Sequence, residues 1–424
     1  MLKKVSKIIS GLEGEVVIPA DKSVSHRAVM FTSLAKGSSL IKNFSSGKDP
    51  HSTLEIFKQL GVTAKFIDEK TLKITSTGCL KAPLAPLDCG NSGTTMRLIS
   101  GILAGQNFNT QLIGDSSLSK RPMKRVIEPL ELMGAKINSV NGHAPLNITG
   151  TNLHSIDYTS KLASAQVKSC ILLAGLNADG TTSVTEPYVS RNHSELMLKY
   201  MGANIHVNGK TVNIQKSQLV PKTIDICGDI SSAAYFIVAG LIVPNSNIVL
   251  KNVGLNPTRT GILDVVKMMG GDVEILNEQT VSGELVGDLR IKTSELKACK
   301  ISGEIIPRLI DELPVIAVLA TQADGETIIR DAKDLRNKES DRIATTVKEL
   351  RKLGAEIDEL DDGFVISGKK DLSGNVAVET YDDHRLAMSL YVAGLICKNP
   401  IAINGFEWAG ISFPEFEKSF IQLM

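Results

Sequence analysis

The chain has 424 residues, 42% of them hydrophobic, which suffices for two or three domains with cores of their own. Its 47 Lys and Arg against 46 Asp and Glu leave a net charge of +1, so no electrostatic argument favours a nucleic-acid or acidic-membrane partner. The longest apolar run, Ala233 to Val243, contains Gly240 and stops at Pro244, short of the roughly 20 residues of a membrane span, and at 4% aromatics are too scarce for stacking platforms.

In chain order, the opening MLKKVSKIISG has a basic flank, but Ser6 and Lys7 break its apolar stretch before a signal-peptide core develops, so a cytoplasmic location is expected. Two strands, Lys4 to Ile9 and Glu15 to Pro19, have no helix before them. A first helical series follows at Ser25 to Leu34, Thr94 to Ala104, Ala165 to Ala174, Ser231 to Ala239, Leu313 to Ala320 and His384 to Ala393, mostly ending in small residues before a β-branched run. A second series alternates with it and ends in Leu-Gly or Met-Gly at Gly61, Gly134, Gly202, Gly270 and Gly354, at intervals of 73, 68, 68 and 84 residues. Glycine there is the expected left-handed helix cap, and the segments after it, such as Lys136-Ile137-Asn138, Asn204 to Val207 and Asp272 to Ile275, read as strands. The last helix, Pro414 to Met424, stops where the sixth capping glycine would come, so the two N-terminal strands are expected to complete the sixth unit.

The pattern predicts an α+β protein of two similar domains, each of three repeated β/α units: 20–226, and 1–19 plus 227–424, discontinuous in sequence. Units of this size favour closed domains over a solenoid, and two such domains would leave a cleft between them as the place for a site.

Cations gather at the starts of these helices: Lys22, Arg27, Arg121, Arg191, Arg342 and Arg385. Taken singly, each fits a solvated helix end. Taken together they sit where the helix dipole disfavours cations, which implies an anionic ligand carrying several phosphate or carboxylate groups. Neither a P-loop nor a G-x-G-x-x-G turn occurs. Asp382-Asp383-His384 fits helix capping better than a metal site, and no metal is expected. Six cysteines without a C-x-x-C pair fit reduced thiols. Asp311, Glu312 and Glu339 are the acid/base candidates, with capping of the next helix as the other reading of Asp311-Glu312.

Five ordered motifs resemble one family. They are Lys22-Ser23-x-Ser-His-Arg27, Asn91-Ser92-Gly93-Thr94-Thr95-Met96-Arg97, Lys120-Arg121-Pro122-Met123, Asn337-Lys338-Glu339-Ser340-Asp341-Arg342 and Asp382-Asp383-His384-Arg385-Leu386-Ala387-Met388. Over residues 15 to 416 the chain is similar to the 3-phosphoshikimate 1-carboxyvinyltransferases. The resemblance implies two domains of three β/α units with the active site in the cleft between them. It also implies transfer of the carboxyvinyl group of phosphoenolpyruvate to the 5-hydroxyl of shikimate 3-phosphate, with release of phosphate, on the way to chorismate and aromatic amino acids. By motif, Lys22, Ser23, Arg27, Ser164, Ala165, Gln166, Arg191, Asp311 and Lys338 would hold shikimate 3-phosphate, and Lys22, Gly93, Arg121, Gln166, Arg342 and Arg385 would surround phosphoenolpyruvate. Asp311, Glu339 and Lys22 form the implied catalytic set, with Asp311 accepting the hydroxyl proton and Glu339 protonating the methylene carbon.

The resemblance implies a monomer that uses no cofactor and is a target of glyphosate, since Gly93 stands where alanine brings tolerance in some members. Two departures are notable: Ile411 replaces a lysine that some members carry before the final Ser/Thr-Phe/Tyr-Pro, and Ser190-Arg191-Asn192-His193 matches one branch of the family. The sister transferase acting on UDP-N-acetylglucosamine has a reactive cysteine where this chain has Ser116, which argues against that acceptor.

Overall fold

A computed structural model describes residues 2–369 and 371–424. The chain divides into two units: Ala20–Cys227 with 280–284, and the N-terminal segment through Pro19 with Gly228–Gln279 and Leu285–Met424. This differs from the division expected from sequence at Cys227 and at 280–284. The five-residue turn groups with the first unit because Ser282 Oγ accepts from the Asp225 backbone N at 2.9 Å and Glu284 meets His193 Nδ1 at 2.7 Å.

The repeat is clearest at residues 87–149. Strand Leu87–Asp88 leads through helix Gly93–Ala104 to a parallel strand, Asn109–Ile113; helix Lys124–Leu132 then leads to the hairpin Lys136–Val140 and His143–Thr149. The second hairpin strand inserts beside Asn109–Ile113, which gives the sheet order first, second, fourth, third. The same order recurs with Asp157–Thr159, Thr181–Thr185, Ile205–Asn208 and Thr211–Gln215, and with Lys300–Ile301, Glu326–Ile329, Glu356–Leu360 and Gly363–Ser367. Among the described residues there are six such sheets, five of four strands and one of three. Gly61, Gly134, Gly202, Gly270 and Gly354 all have φ between +79° and +96°, the left-handed cap that lets each outer helix turn into its hairpin.

The first helix of each unit is the buried one. Every residue of Leu313–Ala320 is buried, and so are twelve of the thirteen in Ile230–Ile242. Each fully buried Leu, Ile or Val contributes about 1.5–3 kcal/mol, so these helices anchor their sheets. Gly93–Ala104 and Ala165–Gly175 pack so closely that a Cβ on Gly101 would lie 2.1 Å from the Cys170 carbonyl oxygen. Their outer partners are two-faced: in Arg342–Lys352, Ile343, Val347 and Leu350 face the core, while Lys348, Arg351 and Lys352 do not.

The N-terminal strands pair differently from the sequence expectation. Leu2–Val5 runs antiparallel to Ile401–Asn404 and completes the sixth sheet, three-stranded with Ala377–Glu379. Glu13–Val17 instead lies parallel to Asn247–Gly254, in the fourth sheet. Its counterpart is Thr223–Asp225, which lies parallel to Gly37–Lys42 in the first sheet. Each of these strands precedes the helix of one unit in sequence and closes the leading sheet of the other. The hydrophobic pattern marks both segments as strands but carries no signal for so distant a partner.

Candidate active site

Crossover geometry places the start of each buried helix just past the end of its leading strand, and short polar side chains cap five of the six. Asp21 accepts from Val24 N at 2.8 Å, Ser92 from Thr95 N at 3.1 Å, Ser164 from Val167 N at 3.5 Å, Asp229 from Ser231 N at 2.9 Å and Asp383 from Arg385 N at 2.9 Å. The residues singled out from sequence lie beside these caps. The sixth start breaks the pattern: Glu312 makes no side-chain cap, so the capping reading of Asp311-Glu312 does not hold.

In the unit that begins at Ala20, two groups form. In one, Arg97 Nη1 donates to Gln166 Oε1 at 2.6 Å and Gln166 Nε2 donates to Thr94 Oγ1 at 3.0 Å, which aims the amide along the start of Gly93–Ala104. Arg121 Nη2 donates to Asn91 Oδ1 at 2.8 Å, and Asn91 is fixed by Asp115 at 2.7 Å. A Cβ on Gly93 would lie 3.1 Å from Arg97 Nη1 and 3.6 Å from Arg121 Nη1, so Gly93 stands directly against both guanidinium groups. In the other group, Arg27 is 3% exposed and donates from all three nitrogens, to Ser194 Oγ at 2.8 Å, Ser23 O at 2.9 Å and Ser169 Oγ at 3.1 Å. Burial among these uncharged partners lowers its pKa to about 10, against the upward pull of Glu195. Lys22, half-buried, pairs with Asp49 at 3.2 Å. Ala165 opens the helix that Ser164 caps, and Arg191 lies half-buried in the loop before helix His193–Tyr200.

The other unit gathers its residues on one guanidinium. Arg342 is 1% exposed; Nε donates to Asp383 Oδ2 at 2.8 Å, Nη1 to Asp311 Oδ1 at 3.2 Å, and Nη2 to Glu339 Oε2 at 2.6 Å and Asp383 Oδ1 at 3.2 Å. Arg385 Nη2 reaches the other Asp311 oxygen at 3.9 Å. Burial works against charge on both arginines, but the carboxylates outweigh it, chiefly Asp383 for Arg342 and Asp311 for Arg385, and hold both above the ordinary arginine range. Burial likewise opposes ionisation of Asp383, and Arg342 outweighs it, keeping that carboxyl below its usual range. Just before Asp383, Tyr381 and Asp382 adopt φ of +51° and +58°, a left-handed pair without glycine that aims the aspartate at Arg342. Lys338 does not join this group; it pairs with Asp334 at 2.9 Å. Ile411 is half-buried at the end of the turn Phe406–Ile411.

The sequence reading missed three contributors. Arg97 stood within a motif but was given no role, although it orients Gln166. Asp383 was read as a cap, and it both caps its helix and clamps Arg342. Asp49, the partner of Lys22, carried no motif signal. Among the described residues, no group of three or more His, Cys, Asp or Glu is placed to hold a metal ion, and no helix is long and apolar enough to cross a membrane.

Six β/α units, with arginines at several of their helix starts, form a fold shared with solved transferases. The crystal structure of the enolpyruvyl transferase NikO from Streptomyces tendae superposes with a TM-score of 0.81 over 100% of this chain and 97% of that one, at 18% identity, a likeness of fold alone. The chain belongs to the EPSP synthase (3-phosphoshikimate 1-carboxyvinyltransferase) family, whose model matches residues 6–420. The 3-phosphoshikimate 1-carboxyvinyltransferases of Bacillus licheniformis and Thermoanaerobacter sp. are each 51% identical to it over 415 residues, covering 96% of both chains and 97% and 98% of this chain and that one, respectively. EPSP synthase from Acinetobacter baumannii is 40% identical, with a TM-score of 0.90 over 100% of this chain and 98% of that one. The protein is therefore an enzyme that transfers an enolpyruvyl group in the shikimate pathway.

Proposed function

We propose that the chain joins phosphoenolpyruvate to the 5-hydroxyl of shikimate 3-phosphate, with Arg342 as the organising group of the chemistry. The observation that carries this reading is that one buried guanidinium holds both acid/base candidates, Asp311 and Glu339, while Asp383 fixes the guanidinium itself. Asp311 takes the hydroxyl proton as the new C–O bond forms. Glu339 protonates the methylene carbon, and the resulting tetrahedral species then loses phosphate and a methyl proton to restore the vinyl group. Arg342 meets three carboxylates, so a carboxylate or phosphate arriving from phosphoenolpyruvate competes with Asp311 and Glu339 for its donors and frees them for proton transfer.

Gly93, Arg121, Gln166, Arg342, Arg385 and Lys22 receive phosphoenolpyruvate in this reading. Shikimate 3-phosphate goes to Lys22, Ser23, Arg27, Ser164, Ala165, Gln166, Arg191, Asp311 and Lys338. The neutral partners of Arg27 support it, because they orient that guanidinium without cancelling its charge. The same reading has the enzyme working as a cytoplasmic monomer without a cofactor. It also makes the enzyme glyphosate-sensitive, since Gly93 presents no side chain to crowd Arg97 and Arg121.

The test is phosphate release from phosphoenolpyruvate with shikimate 3-phosphate, beside UDP-N-acetylglucosamine as alternative acceptor and Glu339→Gln as control. Release with shikimate 3-phosphate alone, lost in the control, supports the reading; release with the nucleotide sugar, or with neither acceptor, overturns it.

A further inference from the structure

Glu186 follows strand Thr181–Thr185 and is buried, 3% exposed, within the unit that begins at Ala20. Its carboxylate meets four donors, one at Oε1 and three at Oε2. Oε1 accepts from the Ser164 backbone N at 3.0 Å. Oε2 accepts from the Ser190 backbone N at 3.3 Å, Ser190 Oγ at 2.9 Å and Lys168 Nζ at 2.8 Å. Lys168 is itself buried, bonds Glu195 at 2.7 Å, and donates to the Ser190 carbonyl at 3.3 Å. The amide, hydroxyl and carbonyl of Ser190 are thus all held by this one buried ion group.

The two segments tied together are the start of helix Ala165–Gly175, which carries Ser164 and Ala165, and the loop that carries Arg191. A single carboxylate bonds both of them, at Ser164 N and at Ser190. Gln166, one residue further along the helix, is anchored elsewhere, by Arg97 and Thr94. We propose that Glu186 is a positioning residue for shikimate 3-phosphate, one that fixes Ser164, Ala165 and Arg191 at a common spacing without touching the substrate. The inference rests on the assignment of those three residues to that substrate.

Glu186→Gln keeps the shape and removes half of the clamp, because an amide offers one acceptor oxygen and turns an NH2 group toward donors on its other side. The experiment measures steady-state KM for both substrates, binding of shikimate 3-phosphate alone by calorimetry, and the melting temperature, in wild-type and variant. The expected result is a KM and Kd for shikimate 3-phosphate raised about tenfold, with KM for phosphoenolpyruvate and kcat at saturation within about threefold of wild-type. Equal rises in both KM values, or a loss of kcat that follows the unfolded fraction, would show a merely structural role and overturn the proposal. If the variant fails to fold, Ser190→Ala removes only the 2.9 Å hydroxyl contact; a rise of about threefold in KM for shikimate 3-phosphate supports the clamp, and an unchanged KM overturns it. A wild-type enzyme that is inactive with shikimate 3-phosphate overturns the substrate assignment and this inference together, whereas an active one with an unmoved variant overturns only the inference.

Discussion

Arg27 of the first unit and Arg342 of the second are buried to a similar degree and partnered in opposite ways. Arg27 donates to two hydroxyls and a backbone carbonyl, whereas Arg342 and Arg385 meet carboxylates. The consequence appears in protonation: burial lowers Arg27, while carboxylates raise Arg342 and Arg385. A guanidinium oriented by neutral groups keeps its positive field for an incoming anion. One oriented by carboxylates is nearly neutralised and instead holds those carboxylates in place. In the proposed reading Arg27 attracts an anion, and Arg342 holds the groups that act on it.

The sharpest way to break this contrast is to neutralise Glu339. Glu339→Gln is expected to lower kcat by about 10²–10⁴, the range of a general acid or base, with KM values little changed; a rapid-quench or steady-state phosphate assay that found kcat within tenfold of wild-type would remove Glu339 from the chemistry. Asp383→Asn asks what a carboxylate does for a buried arginine. It leaves Arg342 without its principal buried countercharge and is expected to cost about 3–5 kcal/mol in urea unfolding, while the equivalent neutral partner in the other unit, Ser194→Ala beside Arg27, costs about 1 kcal/mol. Comparable losses would mean that the two kinds of partner are equivalent.

A third prediction concerns pH. His26 lies beside the neutral cluster, bonded through Nδ1 to Thr53 Oγ1 at 2.7 Å, and burial above all lowers its pKa from 6.5 to about 3. Between those values the unfolded chain binds the proton and the folded one does not, so stability present above pH 6.5 is lost as pH falls toward 3, by at most about 1.4 kcal/mol per pH unit. His26→Asn should flatten the slope of unfolding free energy between pH 6 and 4. An unchanged slope would place the acid sensitivity elsewhere. The smallest effect is expected at Gly93→Ala, where the new methyl group sits 3.1 Å from Arg97 Nη1, the far end of a long side chain. The fold should stand, KM for phosphoenolpyruvate should rise severalfold, and glyphosate inhibition should weaken more than substrate binding does; inhibition that stayed as tight as in wild-type would refute the crowding argument.

Much of this was legible in the sequence because it is written in short-range chemistry. Glycine after an amphipathic run marked five left-handed caps, and small residues before β-branched runs marked the ends of most buried helices. The crowding of cations at helix starts pointed to anions. The destination of Glu13–Val17 was not legible, since its partner lies more than two hundred residues away and any parallel edge would satisfy the same pattern. Partner choice was hidden for a similar reason: that Arg27 would meet Ser169 and Ser194, or that Asp383 would serve Arg342 and its own helix at once, depends on tertiary placement. Asp311-Glu312 shows the limit, where two adjacent acids had one local reading as a cap and the structure spends neither that way.

The exchanged leading strands impose an order on biosynthesis. Ala20–Cys227 is nearly continuous and can condense soon after Thr223–Asp225 leaves the ribosome to pair with Gly37–Lys42. Leu2–Val5, by contrast, has its partner at Ile401–Asn404, so at 5–20 residues per second it waits about 20–80 s for that strand to be made. Leu2–Val5 stays unpaired through that interval and Glu13–Val17 until Asn247–Gly254 is made, so the β-prone front of the nascent chain lacks its partners when Ala20–Cys227 can already close, and truncated products would aggregate there.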